Sequence, residues 1–231
     1  MPYSDVYGQV LLDYYLDCFE PPLLLHNDYG EPEEMPVAVF FRNEEELSEL
    51  EQYALQLCHG RVLDIGAGAG VHSLILQDTV ERVVAIESSP GACHVMISRG
   101  VKEVVNENVF VYQPAEKFDC LLMLMNGTGI AGTISNFRKS LQKLNQLLTK
   151  DGWIIIDSSD ISYLYNEGII ATHYIGAVTY QYEYKGQRSD WFPWLYLDQE
   201  MLKKLSKEAG FEAQIVFEGD QDDYLAVLKR K

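Results

Sequence analysis

Between residues 61 and 157 the chain alternates short, predominantly apolar runs with segments of helical period. This alternation constrains the fold more than any other feature. RVLDI (61–65), RVVAI (82–86), FDCLLMLM (118–125) and WIIID (153–157) are the apolar runs. Strands without apolar–polar alternation are covered on both faces, the condition of a parallel sheet flanked by helices. The intervening segments supply the helices. One is predicted over 71–77, and a second opens at Ser89-Pro90 and stops before Gly100. Serine there serves as cap and proline as the first helical residue. A third carries Phe137, Leu141, Leu144 and Leu148 on one face and is closed by Asp151-Gly152. Val104-Val105 and 109–112 read as further strands. The fold class is α/β, doubly wound.

The flanks differ. Tyr3 to Phe19 is rich in tyrosine and leucine, and a loop-like stretch follows with Pro21, Pro22, Gly30, Pro32 and Pro36. Asn43 and Glu46 read as a helix cap with its reciprocal acid, ahead of Leu47, Leu50, Ala54 and Leu57 at helical spacing. After the last parallel strand, AVTYQYEY (177–184) alternates as a strand. Lys185-Gly186-Gln187 can turn, and DWFPWLYLD (190–198) returns, giving an inserted hairpin. A helix over 201–209 and two strands, 213–217 and 224–229, complete the chain. A length of 231 residues accommodates one large domain with a small cap. The expected organisation is an N-terminal cap or lid over 1–43 and a main domain over 44–231, with the insertion at about 177–198.

Lys and Arg total 18 against 35 Asp and Glu, a formal net charge of −17. A body this acidic repels phosphate backbones and anionic lipid surfaces, and the largest basic cluster is Lys229-Arg230-Lys231. Nucleic acid and membrane are therefore not expected partners. Cys18, Cys58, Cys93 and Cys120 form no CxxC pair and lie in apolar stretches, so packed, reduced thiols are expected. His26, His59 and His173 show no metal-ligand spacing, His94 is expected on a helix surface, and no metal is expected. The first twenty residues lack the basic and apolar regions of a signal peptide, and no apolar run reaches the ~20 residues of a membrane span, so a cytoplasmic protein is expected.

The most informative stretch is VLDIGAGAG (62–70), a strand that runs into a glycine loop and opens a helix. Glycines there permit positive φ and let a ligand approach the backbone. In a doubly wound sheet such a loop sits at the carboxyl end of the first strand, where ligands bind. The spacing departs from the dinucleotide fingerprint GxGxxG, because Val71 occupies the third glycine's place. The loop also begins with a carboxylate, Asp64, unwelcome beside a pyrophosphate but suited to a cationic ligand. The next strand ends in Glu87, where an acid can accept both ribose hydroxyls. Asp64, the glycines and Glu87 thus describe a pocket for a nucleoside bearing a positive group.

On VLDIGAGAG (62–70) and AIESSP (85–90) the chain resembles the class I S-adenosylmethionine-dependent methyltransferases. FDCLLMLMNGTG (118–129), LLTKDGWIIIDSSD (147–160) and the terminal hairpin fit the same family. The resemblance covers roughly residues 44–160 and 198–231 and implies a mostly parallel seven-stranded sheet with a C-terminal antiparallel hairpin. It implies that Asp64, Gly66, Ala67, Gly68 and Gly70 meet the amino-acid and sulfonium parts of S-adenosyl-L-methionine. Glu87 with Ser88 would hold the ribose. The adenine contact, usually an Asp, falls on Asn108 or Glu107, with Val109 beside it. Asn126 would stand where the transferring methyl meets the acceptor entrance. A sulfonium is already a strong methyl donor, so no fixed Ser-His-Asp set is required.

The acceptor side is less defined. His173 is the first choice for a base, with Asn126 the other candidate catalytic group. Glu31, Glu33 and Glu34 form a solvated loop or close over the site with Phe40, Phe41 and Arg42. Tyr7, Tyr14, Arg42, Arg188 and Trp191 are candidate acceptor contacts, and Trp191 to Tyr196 is a hairpin face packed on the sheet or an aromatic wall. The expected activity is methyl transfer to a small molecule. A non-catalytic S-adenosylmethionine or S-adenosylhomocysteine binder and an NAD-linked oxidoreductase are the rival readings.

Overall fold

The computed structural model describes residues 5–165 and 174–231. In chain order the elements are α1 (Val6–Tyr15), β1 (Leu23–Asn27), β2 (Glu33–Met35), α2 (Glu49–Gln56), β3 (Arg61–Ile65), α3 (Val71–Leu76), β4 (Arg82–Glu87), α4 (Pro90–Arg99) and β5 (Val104–Asn106). They continue as β6 (Phe118–Met123), α5 (Ile134–Leu147), β7 (Leu148–Ser159), β8 (Ala177–Tyr184), β9 (Gln187–Arg188), β10 (Phe192–Leu195), α6 (Gln199–Glu208), β11 (Phe211–Glu218) and β12 (Asp223–Arg230).

Seven strands form the main sheet in the order β11-β12-β7-β6-β3-β4-β5. The pairs β7-β6, β6-β3, β3-β4 and β4-β5 are parallel, while β12 runs antiparallel to both its neighbours. The doubly wound α/β fold with its terminal hairpin, expected from the sequence, is present. Neighbouring residues of each apolar strand serve opposite faces. Leu63, Ile65, Leu121, Ile154 and Ile156 pack with Phe137, Leu141 and Leu144 of α5. Val62, Leu122 and Ile155 pack on the other side with Leu50 and Ala54 of α2 and Leu76 of α3. The chain winds outward from β3 in both directions, so the switch point lies at that strand's carboxyl end.

A second, antiparallel sheet runs β10-β8-β1-β2, with β9 on β8. The sequence predicts a loop over 21–36, whereas the structure places β1 and β2 there. The prolines flank β1 and β2 rather than interrupt them, and β1 finds its main partner in the distant β8, with Leu25 opposite Tyr182. Residues 109–112 are not a strand: Val111 N and Tyr112 N both donate to Asn108 O, closing a turn. The Asn43–Glu46 capping box starts only one 3-10 turn, and a second box, Ser48–Glu51, opens α2. All four cysteines are free, but Cys18 is exposed because α1 ends at Tyr15, before reaching it. No helix among the described residues is long and apolar enough to cross a membrane.

Candidate active site at the carboxyl edge of the main sheet

The loop after β3 turns through three left-handed glycines, Gly66 (φ 73°), Gly68 (φ 55°) and Gly70 (φ 84°). Gly66 N donates to Ile86 O (2.9 Å), which fastens the loop to β4. Asp64 is 2% exposed, and its Oδ2 accepts from Ser73 Oγ of α3 (2.7 Å). Burial raises the Asp64 carboxyl from its ordinary value, opposed by the charge of His72 and the bonds from Ser73. Glu87 closes β4 at 9% exposure. Its Oε2 accepts from Gly68 N (3.1 Å), and its Oε1 accepts from Ser89 N (2.9 Å) and Ser88 Oγ (3.3 Å). Two buried carboxylates on adjacent parallel strands therefore flank a glycine floor.

The segment after β6 packs on the loop, with Ile130 against Gly66. Met125 (φ 63°) and Asn126 (φ 60°) are both left-handed. That turn points its amides at Asp157, near the end of β7: Asn126 N donates to Oδ2 (3.0 Å) and Gly127 N to Oδ1 (2.8 Å). Burial pushes the Asp157 carboxyl from its ordinary 3.8 up to about 6, against the pull of those two amides and of His72. Ser159 Oγ donates to the Asn126 side chain (2.9 Å) and fixes its orientation.

The cap covers the loop. A Cβ on Gly68 would stand 2.9 Å from Tyr7 Oη, so the phenol of α1 lies directly over the loop. Tyr7 stacks on Tyr182 of β8 (5.6 Å) and meets Phe40 edge-on (5.4 Å), and Met125 packs in the same cluster. Burial raises the Tyr7 hydroxyl well above its usual range, with Glu87, Tyr182 and Asp5 adding to it. Asp5 anchors α1 to α4: it accepts from Gly8 N, Ser89 Oγ and Gly91 N, each at 2.9 Å. A Cβ on Gly91 would come within 2.7 Å of the Gly8 backbone, so the two helices meet main chain to main chain.

Behind the loop lies a buried network. Arg42 donates to both oxygens of Glu51 (2.9 and 2.7 Å), and His72 Nε2 lies 2.9 Å from Glu51 Oε1. Burial pushes the Glu51 carboxyl up, but bonds from His72 and Ser48 and the charges of His72 and Arg42 outweigh it and hold it at about 2. Arg99 ties loop to cap by donating to Ala69 O (2.6 Å) and Phe40 O (3.2 Å).

The structure thus brings together Asp64, Gly66, Ala67, Gly68, Gly70, Glu87, Ser88 and Asn126 at one sheet edge, with Tyr7 above them. Asn108 is exposed and accepts from Phe110 N with its own side chain, while Val109 is buried in the main core. Tyr14 packs on Phe41 (4.6 Å) inside the cap, and Arg42 is committed to Glu51. Arg188 donates to Glu183 at the outer edge of the second sheet, and Trp191 is 51% exposed. His173 lies outside the described residues. Sequence reasoning missed Asn106, which donates to Glu87 O (3.0 Å), and Ile130, whose Cδ1 would lie 2.8 Å from a Cβ on Gly66. It also missed Asp157 and Arg99. The available signal for Asp157 was a carboxylate ending a buried apolar strand. Arg99 had none beyond a basic residue in a helix's last turn.

A seven-stranded sheet of this order, with a glycine loop and two acids at its switch point, defines a Rossmann-like nucleoside-binding fold of the methyltransferase type. The comparisons agree. A methyltransferase-domain family model matches residues 37–214. The crystal structure of an S-adenosylmethionine-dependent methyltransferase from Bacteroides fragilis, in complex with S-adenosyl-L-homocysteine, is 37% identical with a TM-score of 0.92. That match covers 100% of this chain and 97% of the other. The sugar N-methyltransferase KedS8 from Streptoalloteichus shares the fold alone, at 14% identity, TM-score 0.59 and 88% and 96% coverage. So does an S-adenosylmethionine-dependent methyltransferase from Clostridium acetobutylicum, at 12% identity, TM-score 0.60 and 80% and 93% coverage. No curated protein matches the sequence. The chain belongs to the S-adenosylmethionine-dependent methyltransferases, and its cofactor is S-adenosyl-L-methionine.

Proposed function

We propose that the protein methylates a small molecule held between the carboxyl edge of the main sheet and the aromatic face of the second sheet. In this reading Asp64 and the 66–70 loop hold the methionine end of the cofactor. Glu87 and Ser88 bind the ribose, and Asn108 or Glu107 with Val109 lines the adenine. Asn126 stands between donor and acceptor. S-adenosylmethionine supplies an activated methyl group, so the protein's task is to orient the acceptor and exclude water. Tyr7, Tyr182 and Met125 perform the exclusion by closing over the loop.

The observation that carries this reading is the pair of buried carboxylates, Asp64 and Glu87, across the left-handed glycine floor. Such a floor welcomes a ribose and a cation and repels a diphosphate. Charge disfavours a polyanionic acceptor on the same ground, since the chain carries −17. Calorimetric titration with S-adenosylhomocysteine and with NAD tests the pocket, and tight NAD binding without S-adenosylhomocysteine binding would overturn the assignment. Turnover is tested with methyl-labelled cofactor and an acceptor library. Cofactor binding with no labelled product from any acceptor would leave a binding protein.

A further inference from the structure

Resting on that reading, we infer that the acceptor is a small primary amine, and that Asp157 anchors its ammonium group and takes its proton. Three observations lead there. The first is how Asp157 is held. Each of its oxygens accepts one backbone amide, and the turn that presents those amides keeps two non-glycine residues, Met125 and Asn126, in the left-handed region. That conformation is unfavourable for residues with a side chain and persists only where surroundings enforce it. A carboxylate has about four acceptor sites, so Asp157 is fixed in place with acceptor capacity remaining.

The second observation is the segment fastened next to its neighbour Ser158. The chain from Leu195 to Leu197 is stitched beside Asp157: Thr128 Oγ1 donates to Leu195 O (2.8 Å), and Leu197 N donates to Ser158 Oγ (2.8 Å). Tyr196 lies between those two anchors, its hydroxyl 3.1 Å from that of Tyr180, which is 3.2 Å from that of Tyr29. Tyr29 OH in turn reaches Glu33 Oε1 at 3.5 Å. A chain of phenol oxygens thus runs from Tyr196 through Tyr180 to Tyr29 and Glu33 within the aromatic cluster of the second sheet.

The third observation is where the cations are. Arg42 and His72 are spent on Glu51, Arg99 on backbone carbonyls, and His26 and Arg188 on Glu183. An anionic acceptor would find no partner among these, whereas an ammonium meets a carboxylate, N–H acceptors and π faces. The carboxylate also offsets the repulsion between an ammonium and a sulfonium brought together.

The proton step balances simply. One proton passes from the nitrogen of R–NH₃⁺ to an Asp157 oxygen, leaving R–NH₂ with a free electron pair and a neutral carboxyl, which returns the proton to solvent when the site opens.

The test is binding, read apart from turnover. Glucosamine, tyramine and putrescine are titrated into protein saturated with S-adenosylhomocysteine, alongside glucose, 4-(2-hydroxyethyl)phenol and 1,4-butanediol. At least one amine is expected to bind about tenfold or more tightly than its hydroxyl counterpart, the range for a charge-assisted hydrogen bond. Asp157→Asn should remove that preference while S-adenosylhomocysteine affinity is retained. Tyr196→Phe, which keeps the ring, should weaken the amine by severalfold. If S-adenosylhomocysteine binds but no amine does, or the alcohols bind as well, or both variants keep the amine preference, the inference is overturned and the cofactor reading stands. If S-adenosylhomocysteine itself fails to bind, both fall.

Discussion

Glu87 shows how one side chain serves two masters. It organises its own surroundings by accepting from Gly68 N and Ser89 N, and in the proposed reading it also holds the ribose. Glu87→Ala therefore removes both the ligand contact and the brace on the loop. It is expected to weaken S-adenosylhomocysteine binding by about 1.5–3 kcal/mol, roughly ten- to hundredfold, measured by titration calorimetry. An unchanged affinity would mean that the ribose is held elsewhere. Glu87 was legible from sequence because strand RVVAI points at it. Tyr7 over Gly68 was not, since 61 positions of chain separate them and only the docking of α1 brings the phenol there.

The informative element is α1. Its first turn is capped by Asp5, and the same carboxylate accepts from Ser89 and Gly91 at the start of α4. One residue thus caps the cap helix and binds it to the strand-helix turn that carries Glu87. Asp5→Ala removes an N-cap, a loss of about 0.5–2 kcal/mol. The expected result is faster hydrogen exchange across Val6–Tyr15 with little change in β3 and β4, since those strands are paired on both sides. Equal loosening of α1 and the central strands would show that the cap is no separate unit. The second sheet follows the same logic. Its strands come from residues 23–35 and 177–195, and the β1–β8 pairing joins the two pieces into one sheet. The packing of Trp194 on Gly129 and of Pro193 on Gly132 then seats it on the segment after β6.

At the scale of the whole molecule, two buried carboxylates give opposite pH dependences. The folded state holds Glu51 at about 2 against an ordinary 4.5, so its contribution is present above 4.5 and lost as pH falls through 2. Asp157 is raised from 3.8 to about 6, so its contribution is full below 3.8 and lost as pH rises through 6, a swing of about 3 kcal/mol at 1.36 kcal/mol per unit. Urea denaturation across pH 2 to 8 should show a Glu51→Gln variant with a flattened acid limb. Asp157→Asn should flatten the decline between about 4 and 6. A slope in that upper window unchanged by Asp157→Asn would place its titration elsewhere.

The sequence by itself determined the central sheet and its ligand edge. Apolar runs, caps and the glycine loop are local signals: Gly70 stands at the start of α3, and Ser89 caps α4 with Pro90 at its first position. Tertiary structure alone decided the acceptor side. Prolines around 21–36 read as loop until β8 arrives to pair with β1, and Asp157 reads as the end of a strand until the Met125–Asn126 turn aims two amides at it. Hydrogen bonds between residues far apart in sequence leave no periodic trace in the chain. The half of the site built from such bonds became visible only once the two sheets had closed on each other.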